Sequence, residues 1–208
     1  MMSNSLIEFP IVADKSFIGA WFIEDLSVCD ALIEYHETNK YARRGHVMFQ
    51  DGSQIIKPEV KDSYDSQLLF HLDVTQRYVK ELEHVQSYYI DQYPTCRFGA
   101  KWRIEAVNVQ KYLPNGGYHQ WHCERQGDVF PERSRHLVYM TYLNDVDDGG
   151  ETEFMYQNVK IKPRKGLTLV WPADWTHTHR GLTSPTETKY IVTGWWQYFD
   201  KNSPMLKY

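Results

Sequence analysis

The second half of the chain is cut into short runs of alternating apolar and polar residues, and nothing else in the sequence constrains the fold as much. The runs are 104–112, 136–143, 151–156, 167–171 and 189–198. Between them stand Pro114-Asn115-Gly116-Gly117, Asp147-Asp148-Gly149-Gly150, the stretch 163–166 with Pro163 and Gly166, and Arg180-Gly181. Side chains of an extended chain alternate between its two faces, so each run can bury one face while the turn residues reverse direction. Many short strands with Gly, Pro and Asp separators predict a sandwich or barrel, here a double sheet of jelly-roll type.

The first half has a different period. Ser27 with Asp30 three residues on reads as an N-cap opening a helix that runs to about Tyr35. Val74, Tyr78, Leu82, Val85 and Tyr89 recur at helical spacing over 74–89, with Pro94 just beyond. Residues 17–23 form a short apolar run around Gly19, which suits an edge strand. The expected class is therefore α+β, a double-stranded β-helix (jelly roll) with N-terminal helices packed on it. It forms one domain over 1–208, with 1–100 mainly helical support and 101–200 the strand-rich core.

A content of 42% hydrophobic and 15% aromatic residues is enough for a substantial core and argues against disorder. The formal net charge of -4 leaves no electrostatic footprint for nucleic acid or an anionic membrane. Lys160, Lys162, Arg164 and Lys165 cluster around Pro163 and read as a solvated turn. No apolar stretch reaches the roughly 18 residues of a membrane span. The N-terminal stretch 1–16 lacks the basic and apolar regions of a secretory signal. Cys29, Cys96 and Cys123 are odd in number and widely spaced, which suggests reduced thiols in a cytoplasmic protein.

His122 and Glu124 flank Cys123 just after an extended run. In a strand, residues i and i+2 share a face, so the imidazole and carboxylate can converge while Cys123 points away. A third ligand has to come from elsewhere, and His179 is available, although His177 lies two residues earlier. Two imidazoles and one carboxylate occupy one face of an octahedron and leave the rest open, the arrangement of non-haem iron(II) oxygenases. His36, His46, His71 and His84 have no such companions and read as ordinary structural residues. Lys189 opens a run whose inward set would be Lys189, Ile191, Thr193 and Trp195. A lysine among apolar neighbours is costly without an anion, so that run hints at an anionic ligand.

The span from Tyr112 to Trp195 resembles the catalytic core of the prolyl 4-hydroxylase-like 2-oxoglutarate- and Fe(II)-dependent oxygenases. Tyr112, the turn ending in Gly116-Gly117, and Tyr118 precede His122 and Glu124. Arg135 begins the next run, which ends in Tyr142-Leu143-Asn144. Gly149-Gly150-Glu151-Thr152-Glu153-Phe154 then matches a Gly-Gly-x-Thr-x-Phe pattern. His179, followed by Arg180-Gly181, has the basic Lys189 ten residues on, and this spacing favours it over His177. One departure stands out: the family usually has Asp where this chain has Glu124.

The resemblance implies iron(II) held by His122, Glu124 and His179. It implies 2-oxoglutarate with its 5-carboxylate on Lys189 and Tyr142, its chelating end near Tyr112, and Thr193 in the surrounding shell. The implied reaction hydroxylates an unactivated C–H, by family default on a prolyl residue of a peptide, with succinate and carbon dioxide as co-products and ascorbate as a supportive reductant. No protein general base is needed. The helical half and the loop 125–134 would shape substrate entry. Two other readings of the residues stand beside it, a non-catalytic jelly roll that binds a small ligand and a cupin-type metal enzyme. Turnover of 2-oxoglutarate separates both from an oxygenase, whether that oxygenase acts on a peptide or on a small molecule.

Overall fold

The computed structural model of the protein describes residues 16–48, 53–98, 101–128 and 130–199. Most of the N-terminal stretch read above, and Val129 of the loop 125–134, lie outside the described residues. The strands are β1 Gly19–Phe22, β2 Arg43–Arg44, β3 Val47–Met48, β4 Gln54–Ile55, β5 Tyr64–Gln67, β6 Trp102–Tyr112 and β7 Tyr118–His122. They continue as β8 Arg135–Tyr142, β9 Thr152–Phe154, β10 Val159–Ile161, β11 Leu167–Pro172, β12 His179–Gly181 and β13 Lys189–Tyr198. Two helices, α1 Ser27–Thr38 and α2 Asp73–Gln92, lie between them in sequence.

A seven-stranded sheet runs β1-β11-β8-β13-β6-β5-β2 and a four-stranded sheet runs β10-β9-β12-β7. Every pairing in both is antiparallel. This is the expected α+β double-sheet architecture, with β1 at an edge as the apolar run around Gly19 suggests.

The large sheet is buried on both faces, and the two-residue period decides which side chain goes where. On β8, Leu137 and Tyr139 join the cluster shared with the helices. Val138, Met140 and Tyr142 join the cluster on the side of the smaller sheet. On β13, Val192 and Trp196 take the helix side and Ile191 the other. Helix α2 supplies Tyr78, Leu82, Val85 and Tyr89 at three- and four-residue spacing. The Tyr78 hydroxyl meets Thr141 Oγ1 at 2.8 Å, and Thr141 meets Thr168 Oγ1 at 2.7 Å, so the buried polar atoms form one satisfied chain.

Two expectations need correcting. Ser27 is the first residue of α1 and not its cap: Leu26 holds the N-cap position with no side-chain cap bond. Asp25 does the local work, accepting from the Ser27 N–H at 3.1 Å and from Arg77 of α2 at 2.9 Å. The helix also runs on to Thr38. The first hundred residues hold β1 to β5 beside the two helices, which at 12 and 20 residues are the longest elements described there. Strands β2 and β5 read Arg-Arg and Tyr-Asp-Ser-Gln, too short and polar to show alternation, and they form only as additions to the edge beside β6.

The basic cluster behaves as a charged surface turn. Lys160 lies 3.4 Å from Glu153, Lys165 2.6 Å from Asp30, and Arg164 3.0 Å from Asp147.

Candidate metal centre

Strand β7 ends at His122, so Glu124 is not aimed by strand alternation. It sits in the turn beyond, where its N–H and that of Arg125 both donate to the Ala173 carbonyl, at 3.1 and 2.9 Å. His179 reaches the same place by sheet register, as it pairs directly with His122 across β12 and β7. Cross-strand neighbours stand within about 5.5 Å at Cβ, which suits two ligands of one ion. The rings lie 4.3 Å apart between centroids.

Glu124 Oε1 is 3.5 Å from Nε2 of His122 and 3.5 Å from Nε2 of His179. One donor atom from each of the three residues lies within 4.8 Å of the others. Each imidazole is oriented through its far nitrogen: His122 Nδ1 is 3.0 Å from the Gln120 carbonyl and His179 Nδ1 2.9 Å from the His177 carbonyl. A carbonyl can only accept, so Nδ1 carries the proton and the Nε2 lone pair faces the centre. The Tyr118 ring stacks on His122 at 3.7 Å and 13°.

The electrostatics suit a cation. Burial, and next the neighbouring His179, push His122 toward its neutral form. Burial alone would raise the Glu124 carboxyl, but the neighbouring His122 and His179 outweigh it and hold it well below the ordinary range. A carboxylate beside a neutral imidazole is a hard, negatively charged donor set.

His177 is buried elsewhere, with Nε2 2.9 Å from the Ser16 carbonyl and Nδ1 3.0 Å from the Thr176 hydroxyl. Both of its nitrogens are engaged, so His179 is the member of the pair that joins the cluster.

A cavity of about 700 Å³ opens from this cluster and has Lys189 on its wall. Lys189 is 4% exposed, and its Nζ donates to the Gly150 carbonyl at 2.8 Å and the Leu182 carbonyl at 3.3 Å. The turn that presents Gly150 passes through two left-handed glycines, Gly149 and Gly150, at φ 79° and 77°. Among the described residues no carboxylate ion-pairs with Lys189, and burial lowers its pKa to about 8.

Tyr112, Thr193 and Trp195 also line the cavity. The Tyr112 hydroxyl donates to Gln110 Oε1 at 2.6 Å, and that of Thr193 to the Tyr139 carbonyl at 2.8 Å. Tyr142 is fully buried just behind the wall: its hydroxyl donates to Thr152 Oγ1 at 2.6 Å and lies 3.0 Å from the Ile161 carbonyl. Thr152 itself lines the cavity.

His46, read as an ordinary structural residue, is exposed at the cavity wall with Tyr41 and Arg43. Residues Gln126 and Glu132 of the loop 125–134 line it as well. Sequence reasoning gave no role to Glu105 and recognised Arg135 only as a motif position. Arg135 binds Glu105 through Nε at 3.1 Å and Nη2 at 2.9 Å, and its Nη1 donates to the Glu124 carbonyl at 3.2 Å. Alternation along β6 could have flagged Glu105 as a charge on an inward position, but its partner is supplied by another strand.

Residues 107–197 match the family model described as the 2OG-Fe(II) oxygenase superfamily. A protein of Acanthamoeba polyphaga mimivirus, described as "Putative prolyl 4-hydroxylase", is 32% identical over 108 residues, covering 45% of this chain and 45% of that protein. The match thus spans less than half the length of that curated relative. Among solved structures, a viral collagen prolyl hydroxylase from Paramecium Bursaria Chlorella virus-1, in its 2-oxoglutarate complex, superposes with a TM-score of 0.68 at 19% identity. It covers 91% of this chain and 100% of that one. A Pseudomonas putida prolyl-4-hydroxylase gives 0.67 at 14% identity, covering 88% and 93%. A Trichoplax adhaerens prolyl hydroxylase, in complex with a hypoxia inducible factor oxygen degradation domain peptide fragment, gives 0.64 at 15%, covering 94% and 84%. At these identities the structural likeness establishes the shared fold.

Proposed function

We propose that this chain, a member of the 2OG-Fe(II) oxygenase superfamily through residues 107–197, is a prolyl-hydroxylase-like dioxygenase that hydroxylates an unactivated C–H bond. The observation that carries the reading is the pairing of two features in one cavity. His122, Glu124 and His179 cluster at one side, and Lys189, a buried ammonium with no carboxylate partner among the described residues, stands on the same wall. A non-catalytic binder has no need of the first, and a cupin-type metal enzyme has no need of the second.

The donor set fits iron(II): two Nε2 lone pairs and one carboxylate oxygen converge, with both Nδ1 atoms tied to carbonyls. His122, Glu124 and His179 would hold the ion. When bound, iron with 2-oxoglutarate and oxygen supplies the oxidation, with succinate and carbon dioxide as co-products. The chain's own contribution is ligation, orientation and a dry wall. Lys189 would pair with the 5-carboxylate, a charge-assisted contact that offsets the cost of burying each charge alone. Tyr112 would lie beside the chelating end, and Thr193 on the wall between. No side chain has to take a proton from the C–H bond, and none is assigned as a general base.

A prolyl side chain in a peptide is the substrate class we favour, supported by the prolyl hydroxylases among the structural neighbours and by a cavity open to solvent. The unpaired thiols of Cys29, Cys96 and Cys123 fit a cytoplasmic setting. The test is to incubate the protein with iron(II), 2-oxoglutarate and ascorbate, and to measure succinate together with +16 Da products in peptide and metabolite pools. Succinate formation that depends on iron and rises with a proline-containing peptide is expected. No turnover of 2-oxoglutarate under any condition would overturn the reading.

A further inference from the structure

Glu124 carries one methylene more than the aspartate usual at this position, so its backbone alone does not settle where its oxygens go. Three neighbouring strands settle it. Trp195 on β13 donates its indole N–H to Glu124 Oε2 at 2.9 Å. Arg135 on β8 places Nη1 3.7 Å from the same oxygen while also holding the Glu124 carbonyl at 3.2 Å. The guanidinium lies 3.7 Å from the Trp195 ring centroid, a stacked cation–π contact. Glu105 on β6 fixes the other edge of the guanidinium with two bonds, at 2.9 and 3.1 Å. Arg135 and Glu105 are both buried, so this is a built arrangement and not a loose surface pair.

These contacts divide the carboxylate. Oε2 is taken by the indole and faces the guanidinium, whereas Oε1 lies 3.5 Å from both Nε2 atoms. We infer that Trp195, Arg135 and Glu105 form a brace that fixes the longer Glu124 side chain as a one-oxygen donor, and that they are positioning residues for the metal site. The inference rests on reading His122, Glu124 and His179 as that site. It gives the substitution of Glu for Asp a physical basis. The distal end of the side chain is tied to the β6–β13–β8 sheet, so the extra rotatable bond does not let the donor oxygen wander. Outer partners of this kind are commonly worth 10- to 100-fold in metal affinity.

The test titrates the metal-free full-length protein with cobalt(II) under nitrogen, reading both the dissociation constant and the visible ligand-field spectrum. Trp195→Phe keeps the ring under Arg135 and removes only the N–H. It is expected to weaken cobalt binding about 10-fold or more and to change the spectrum as Oε2 becomes free to bind. In the Glu124→Gln background the same change is expected to cost less than threefold, because the carboxylate to be braced is gone. A loss of equal size in both backgrounds would mark Trp195 as merely structural and overturn the brace. So would an unchanged dissociation constant and spectrum in Trp195→Phe. If Glu124→Gln and His122→Ala bind cobalt like the parent, the metal reading itself fails and takes the brace with it.

Discussion

Single residues separate the three histidines near the centre. His122→Ala and His179→Ala each remove an Nε2 that faces Glu124 Oε1, so both are expected to abolish iron binding and 2-oxoglutarate turnover. His177→Ala removes a buried ring bonded to the Ser16 carbonyl and should cost about 1–3 kcal/mol of stability while iron affinity stays within several-fold. Chemical denaturation and metal titration of the three variants check this, and a dead His177→Ala beside an active His179→Ala would reverse the assignment. Lys189 adds a pH dependence. Burial lowers its pKa to about 8, so the empty cavity loses the ammonium as pH rises through that value. On the proposed reading a bound carboxylate favours the protonated form, so 2-oxoglutarate binding would take up a proton above about pH 8 and be at full strength below it. Affinity should drop roughly tenfold between pH 7 and pH 9, and Lys189→Arg should flatten the profile. Anaerobic titration with 2-oxoglutarate at both pH values measures it. Equal affinity at the two would take Lys189 out of the pocket.

At the scale of elements, strand β13 connects almost everything. It pairs with β6 on one side and β8 on the other, and carries Lys189, Thr193 and Trp195 into the cavity. Its register shifts between Gly194 and Trp196 against β6. Gly194 lies where a Cβ would meet the Ala106 carbonyl at 2.0 Å and the Tyr139 hydroxyl at 2.2 Å. The first is backbone of the neighbouring strand and cannot swing aside. Tyr139 is held too, its hydroxyl bonded to the same Ala106 carbonyl at 2.6 Å. Gly194→Ala should therefore destabilise by about 3 kcal/mol or more, with loss of 2-oxoglutarate affinity as the strand shifts. Gly127→Ala is the comparison: nothing lies within 4 Å of its Cβ, and only its φ of 79° is strained, so a loss near 1 kcal/mol is expected. Equal stability of the two variants by urea denaturation would mean that the close approach at Gly194 is relieved some other way.

For the whole molecule, the cluster ties together parts far apart in sequence. His122 and His179 come from the smaller sheet, and Glu124 is anchored to the larger one through Trp195 and Arg135. A ligand that binds only this assembled arrangement stabilises the entire fold by mass action. Metal at a hundredfold excess over its dissociation constant is worth about 2.7 kcal/mol. In a domain of this size that should raise Tm by roughly 5–10 °C. Calorimetry with and without manganese(II) gives the shift directly. The His122→Ala variant should show none, and a shift of equal size in that variant would place the stabilising ion elsewhere.

The strands 104–112 and 189–198 and helix 74–89 were legible in the sequence, and so was the convergence of His122 with Glu124, though a turn held by the Ala173 carbonyl and not strand alternation aims Glu124. Period and turn chemistry are local properties that tertiary packing here reinforces and does not override. The partnership of His122 with His179 could only be guessed from a family pattern, since it depends on the register of β12 against β7. The same holds for the separation of His179 from His177, which depends on where the Ser16 carbonyl lies. Strands β2 to β5 left no signal, because segments of two to four residues are too short to show alternation and become strands only when another segment offers them hydrogen bonds. For Tyr142 the sequence offered a family position, whereas the partners of its hydroxyl, Thr152 and the Ile161 carbonyl, depend on which acceptors packing brings beside it. What the sequence determined by itself was which chemistry the chain carries and which faces are apolar. Register across the sheets decided which of those groups meet, because pairing between distant strands is a property of the assembled core and of no local segment.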